Sequence, residues 1–306
     1  MRAGLFSLRP ARTLVRHLPA AAILSLAAAG GMAPAAAQDA LPRVMSLNVC
    51  TDQLVMALAE PQQIVSLSAL SADPSLSYYA GTTGGIAKNV GLAEEVFVVR
   101  PDIVVTGTYS LHNTTELLRH LGIRVEEFDY AQTLDSIPAE TRRMGAILGH
   151  AERGAAMAAS FEAELAALRA EAPAARPSVV VYGQNGVVLG ADTLADTVLE
   201  AAGFRNLAAE RGYSGMAPYP LELLIRDRPD VVLLSPPYAD APALADQFVR
   251  HPAIEALQSI ARSDVVPRGA WGCAGPFTIE AVRALAALRR EIAGGLSAPP
   301  PGASSQ

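Results

Sequence analysis

The sequence predicts an α/β protein of two lobes with mainly parallel sheets, bridged by a long α-helix. Three observations predict it. Short β-branched, apolar runs alternate with helical patterns. One helix-to-strand motif occurs twice. A long uninterrupted helical stretch lies between the two copies.

The alternation comes first. Candidate strands are 43–48, 64–68, 103–107, 124–129, 178–182, 231–235 and 264–267. Several are apolar almost throughout, as parallel strands covered on both faces must be. Helical patterns such as 52–59 and 114–121 lie between them, which is the order of an α/β protein.

The repeat comes second. Glu94 and Glu95 lead through Arg100-Pro101-Asp102 into a strand, and Glu222 leads through Arg228-Pro229-Asp230 into another. Each unit reads as a short helix stopped by proline, then a buried strand. Two lobes of one design account for it.

The connector comes third. Met144, Ile147, Leu148 and Ala151 share a helical face, and so do Phe161, Leu165 and Leu168. Gly149 is expected to break the pattern. The segment 151–172 would span ~33 Å at ~1.5 Å per residue before Pro173 and Pro177 end it. Such a helix is a stiff connector. The expected organisation is a signal peptide at 1–37, an N-terminal lobe at 41–132, a helical segment at 133–176, a C-terminal lobe at 177–293 and a disordered tail at 294–306.

Composition narrows the function. The chain has 306 residues, 51% apolar and 18% charged, which excludes a coiled coil, a collagen-like rod and a disordered chain. It carries 24 basic against 30 acidic residues, so no general basic patch is expected and nucleic acid is not an expected partner. Arg2, Arg9, Arg12 and Arg16 precede an apolar run and then Ala35-Ala36-Ala37, the pattern of a secretory signal peptide. The apolar run is short for a membrane span. The product is expected outside the cytoplasm, in the periplasm, with Cys50 and Cys273 its only cysteines.

Ordered along the chain, these features resemble the substrate-binding proteins of cobalamin and iron–siderophore ABC importers. The resemblance rests on the run from Val44 to Leu58, Gly91-Leu92-Ala93-Glu94-Glu95 up to Asp102, and Leu121 to Val125. It continues through the central helix, Ala202-Gly203-Phe204, and Leu221-Glu222 up to Asp230. It implies two Rossmann-like lobes joined by one helix, with a ligand held between them and only modest lobe movement. It also implies docking of Glu94 and Glu222, one per lobe, on arginines of an inner-membrane permease. Paired exposed charges of this kind steer encounter and fix orientation.

In α/β sheets ligands sit beyond the carboxyl ends of the strands. The residues expected there are Asn48, Cys50 and Thr51, then Tyr78, Tyr109, Tyr182, Tyr213, Tyr238, Trp271 and Cys273. Tyr130 also follows a strand. Tyrosine and tryptophan give broad, rigid contact with a polar tip, suited to a corrin, a haem or a metal chelate. Three readings stand for Cys50 and Cys273: small packing or cleft-lining residues, which we favour, a disulfide between the lobes, or soft thiolate ligands.

Other chemistry is poorly supported by the sequence. The Gly183–Gly190 run matches neither phosphate-binding glycine motif and reads as a turn in a sheet. No nucleophile elbow or zinc-binding spacing occurs. Cys50 with His112 is the one pairing a periplasmic thiol enzyme could use, and a ligand sensor is a further alternative. The sequence is therefore read as a non-enzymatic, monomeric periplasmic carrier with no resident cofactor or metal. Cobalamin is its favoured cargo, with a ferric siderophore or haem as alternatives. A siderophore would call for cleft arginines, with Arg211 and Arg268 as candidates.

Overall fold

The computed structural model describes residues 40–109, 111–130, 133–234, 251–255, 257, 260–263 and 265–296. The signal peptide expected at 1–37 lies outside the described residues, as do Tyr238 and 297–306.

The N-terminal half runs β1 (Val44–Ser46), α1 (Val49–Leu58), β2 (Ile64–Ser68), β3 (Lys88–Asn89), α2 (Ala93–Val99), β4 (Ile103–Gly107), α3 (His112–His120) and β5 (Val125–Phe128). Its five strands form one parallel sheet in the order β3-β2-β1-β4-β5. The order reverses direction at β1, which is a doubly wound arrangement.

Alternation along the strands feeds two cores. Val44, Ile103 and Val105 face α1 together with Met144 and Leu148. Met45, Leu47 and Val104 face Ala93, Val96 and Leu118 of α2 and α3. Successive side chains point to opposite faces, so one strand supplies both.

Two helices follow, α4 (Ile137–Ile147) and α5 (Ala151–Ala170). Gly149 turns the chain between them at φ +80°. They cross at Gly145 and Gly154, where a Cβ on Gly145 would lie 2.8 Å from the Gly154 Cα. Only glycine permits that approach. Helix α5 joins the halves through packing: Met157 rests on the N-terminal core, while Phe161, Leu165 and Leu168 are buried in the C-terminal one. The connector ends two residues before the expected 172.

The C-terminal half contains β6 (Ser178–Tyr182), β7 (Val187–Leu189), α6 (Leu194–Ala201), β8 (Arg205–Asn206), α7 (Leu207–Glu210), β9 (Met216–Pro218), α8 (Leu221–Asp227), β10 (Val231–Leu234), α9 (Pro252–Glu255), β11 (Ile260–Ser263) and α10 (Ile279–Leu296). The second sheet has the order β11-β10-β6-β7-β9, with β8 also beside β6. Strands β11, β10, β6 and β8 run parallel, and β7 is antiparallel to both its neighbours. Val179, Val181, Val231 and Leu233 face α5, α6 and α10. Val180, Tyr182 and Val232 face α7, α8 and α9.

Two expectations need correcting. The last strand is Ile260–Ser263 rather than 264–267. Ile260 pairs with Val231, while Val265 and Val266 bury as loop residues against the core. The tail does not begin at 294, because α10 runs to Leu296.

The repeat is structural as well as sequential. Both α2 and α8 end on an arginine in the left-handed region, Arg100 at φ 48° and Arg228 at φ 42°. Each then turns through Pro-Asp into the next strand. Asp102 accepts from the Arg43 backbone N–H at 2.7 Å, and Asp230 from that of Ser178 at 2.7 Å. Each aspartate ties the start of its lobe's first strand to the strand that pairs with it. Among the described residues no helix is long and apolar enough to cross a membrane.

Candidate functional site

The carboxyl ends of the two sheets meet through loops. Asn48 caps α1 just after β1, its Oδ1 accepting from the Cys50 N–H at 2.8 Å. Cys50, in the first turn of α1, is disulfide-bonded to Cys273 of the loop after β11, with Cα atoms 5.2 Å apart. The favoured reading of separate packing residues is therefore replaced by the disulfide. A bonded pair offers no thiolate, which also removes the thiol-enzyme reading of Cys50 with His112 and the thiolate-ligand reading.

The same seam holds further contacts. Tyr78 stacks on Phe277 with ring centroids 5.4 Å apart and planes at 12°, and Tyr79 meets Phe277 edge-on at 5.7 Å. Gln53 of α1 accepts from the Tyr78 backbone N–H at 2.8 Å, fixing the loop after β2. Gly269, at φ +72°, lies against this loop so closely that a Cβ there would sit 2.2 Å from the Tyr78 nitrogen. Tyr79 follows β2 beside Tyr78 as the sequence order places it, whereas nothing in the sequence marks Gln53, Gly269 or Phe277 for this seam. Aromatic residues on loops of both halves were the available signal.

The other expected residues separate into groups. Tyr109, after β4, is 81% exposed and Tyr130, after β5, is 53% exposed; their rings meet edge-on at 6.4 Å. His112 opens α3 close by and is exposed. Trp271 is half-buried against the C-terminal core, two residues from Cys273.

Thr51 is buried, donating to the Asn48 carbonyl at 3.0 Å and lying 2.9 Å from the Ser46 Oγ. It shapes the start of α1 and presents nothing to a ligand. Tyr182, expected at the cleft, is fully buried among Val180, Val188 and Leu224. Burial first, and the Glu222 carboxylate second, raise its pKa. Tyr213 also departs from expectation. It lies in the loop between α7 and β9, against Gly190, which follows antiparallel β7, and packs edge-on against Tyr219 at 5.2 Å. Arg211 is held by Asp227 at 3.1 Å. Arg268 is exposed beside Gly269.

Asp52 is a fully buried carboxylate beside the seam. It accepts from the Ser68 N–H at 3.1 Å and from the Ser68 Oγ at 2.5 Å. Burial pushes its pKa up to about 6, with the Ser68 hydrogen bonds opposing. The raised value means that the folded protein holds a proton the unfolded chain releases above about pH 4. Asp52 therefore destabilises the fold as pH rises from about 4 to about 6, by on the order of 3 kcal/mol in full. D52N keeps an acceptor for Ser68 and removes the charge. It should melt higher than the parent at pH 7 and show a flatter stability profile between pH 4 and 6, measured by thermal or urea unfolding. Equal pH slopes for the two proteins would exclude this role.

The duplicated acids lie at matching places. Glu94 is in the first turn of α2 and Glu222 in the first turn of α8, both exposed. Helix α2 starts beyond the carboxyl end of β3, and α8 beyond that of β9, which runs parallel to β6. Each glutamate therefore flanks the edge of its sheet where the lobes face each other.

Two doubly wound lobes sharing a helix, with their carboxyl edges opposed, define a two-lobed binding protein. The chain belongs to the Periplasmic binding protein family, which it matches over residues 44–266. The chain spans about half the length of the curated relatives it matches. One, the "Cobalamin-binding protein" of Halobacterium salinarum, is 29% identical over 196 residues, 62% of this chain and 53% of the relative. The periplasmic heme-binding protein RhuT from Roseiflexus sp. RS-1 superposes with a TM-score of 0.62 at 25% identity, covering 82% of this chain and 98% of that one. The periplasmic heme-binding protein HutB of Vibrio cholerae gives 0.67 at 19% identity, over 80% and 98%. The periplasmic vitamin B12-binding protein BtuF of Vibrio cholerae gives 0.59 at 18%, over 83% and 98%.

Proposed function

We propose that this protein is a periplasmic carrier that captures a metal–organic chelate, cobalamin first, and delivers it to an inner-membrane ABC importer. The observation that carries the reading is the exposed Tyr109–Tyr130 pair beyond β4 and β5. Two tyrosine rings left to solvent at the carboxyl edge of a parallel sheet, set edge to face, give a broad apolar corner with polar tips that a bulky corrin can rest against. The curated relative's name supports cobalamin over the alternatives. An anionic siderophore fits less well, because Arg211 is already committed to Asp227. Haem is the second reading, favoured by exposed His112 and Tyr109 on one sheet edge, where a ferric centre could take an axial oxygen or nitrogen.

Equilibrium dialysis against cyanocobalamin, hemin and ferric chelates tests the reading. Trp271 fluorescence serves as a parallel signal, since it is the only indole in the chain. Saturable binding of cyanocobalamin is expected, and Y109A should weaken it by about tenfold, the loss of one aromatic contact worth ~1.4 kcal/mol. Trp271→Ala should also weaken it. Binding of none of these compounds would refute the carrier reading. Binding unaffected by Y109A would remove the tyrosine pair from the site.

A further inference from the structure

The four cores sort the molecule into two flanks. On one flank, α1 and α4 cover the N-terminal sheet while α5, α6 and α10 cover the C-terminal sheet. On the other flank lie α2 and α3 of the first lobe and α7, α8 and α9 of the second. Helix α5 crosses between lobes on the first flank. The disulfide belongs to that flank as well. Cys50 opens α1, which packs on α4, and Cys273 precedes the Pro276–Thr278 turn, which packs on both α4 and α5. Glu94 and Glu222 belong to the opposite flank, on α2 and α8.

We propose that the Cys50–Cys273 disulfide is a strap that pins the lobes on the connecting-helix flank, so that the cleft opens only on the flank carrying Glu94 and Glu222. The chain already crosses between lobes through α5. The helix itself is stiff, but the joints where the chain enters and leaves it let the lobes twist against each other. A second covalent link beyond the helix blocks that twist. The Tyr78–Phe277 stack and the close approach of the Gly269 backbone to Ser77 and Tyr78 join the loops of the two lobes a second and third time and oppose their sliding. Among the described residues no disulfide or ring stack joins α2 or α3 to α7 or α8, which makes that flank the one expected to open. The tyrosine pair stands beyond β4 and β5, away from the β2–β3 loops that carry Tyr78. The strap thus leaves the tyrosine pair uncovered. This device is independent of which guest is carried.

Distance measurements on the full, unliganded protein test it. Spin labels are introduced through a genetically encoded keto amino acid, so the native cysteines stay untouched. One pair, at Ser75 and Arg268, reports the strapped flank; the other, at Val98 and Ile225, reports the open one. In the oxidised protein the first pair should give a narrow distribution and the second a broad one. C50S/C273S should broaden the first pair to resemble the second. Reducing the parent protein with a phosphine under native conditions should do the same, which guards against a folding defect in the variant. Two results overturn the proposal: a Ser75–Arg268 distribution that stays narrow without the bond, or a Val98–Ile225 distribution as narrow as the strapped one in the oxidised protein.

Discussion

Replacing both Cys50 and Cys273 by serine should lower the unfolding free energy by about 5 kcal/mol, the largest loss expected from so small a change. The bond joins positions 223 residues apart, so its removal releases nearly the whole folded chain in the denatured state. Loop-closure entropy grows only as the logarithm of length, and a loop of this size lies near the top of the usual range. The melting temperature should fall by ~10 °C, at ~2 °C per kcal/mol for a chain this long. Urea unfolding of the oxidised parent, the reduced parent and C50S/C273S measures the effect. The last two should agree, and titrating free thiols in denaturant confirms which form is present. A loss below ~1 kcal/mol in a protein with no free thiol would contradict the argument. The two consequences of the bond are separable: this one acts on the unfolded chain, and the strap acts on the folded one.

That bond also marks where sequence reasoning ran out. Strands β2, β4 and β6 coincide with the apolar runs 64–68, 103–107 and 178–182, because a strand covered on both faces needs continuous apolar character. The repeat was legible because proline and aspartate at fixed offsets leave the chain few options. Strands β7, β8 and β9 were not, since two- and three-residue strands carry no period. Cysteine pairing depends on how two lobes are set against each other, and no local pattern encodes that. Tyr182 shows the same limit. It ends a strand buried at every position, so its ring turns inward, while Tyr109 and Tyr130 stand two residues past their strands and turn outward. Strand-end position alone does not separate the two fates. The seam depended on glycine and glutamine as much as on aromatics. Gly269 acts through its own backbone and the Gln53 side chain by accepting from a distant backbone N–H, and neither partner is marked by a local pattern.

Alanine at both Glu94 and Glu222 should leave cyanocobalamin affinity unchanged and reduce its delivery across the inner membrane by about 100-fold. The acids are set apart from their neighbours by what they do not do within the fold. Glu95 accepts from the Val90 and Leu92 N–H groups and thereby starts α2. Its counterpart after Glu222 is Leu223, so only Glu94 and Glu222 recur in both lobes. Neither makes an ion pair among the described residues, and both face solvent. An exposed carboxylate that performs no local task, duplicated on one flank beside the cleft, is suited to contact with a cationic partner. Two charge pairs worth ~1.4 kcal/mol each amount to about 100-fold in docking, and single variants should lose about tenfold. A charge-steered encounter of this kind should also make delivery weaken as salt rises. E95A is the control: it should lower stability through the lost cap at α2 while leaving delivery by the remaining folded protein intact. The readout is uptake of labelled cyanocobalamin by cells in which this chain is the sole periplasmic carrier. Uptake undiminished in the double variant would overturn the proposed docking role of both glutamates while leaving the proposed guest site beyond β4 and β5 untouched. Loss of affinity in dialysis would instead place them in the site itself.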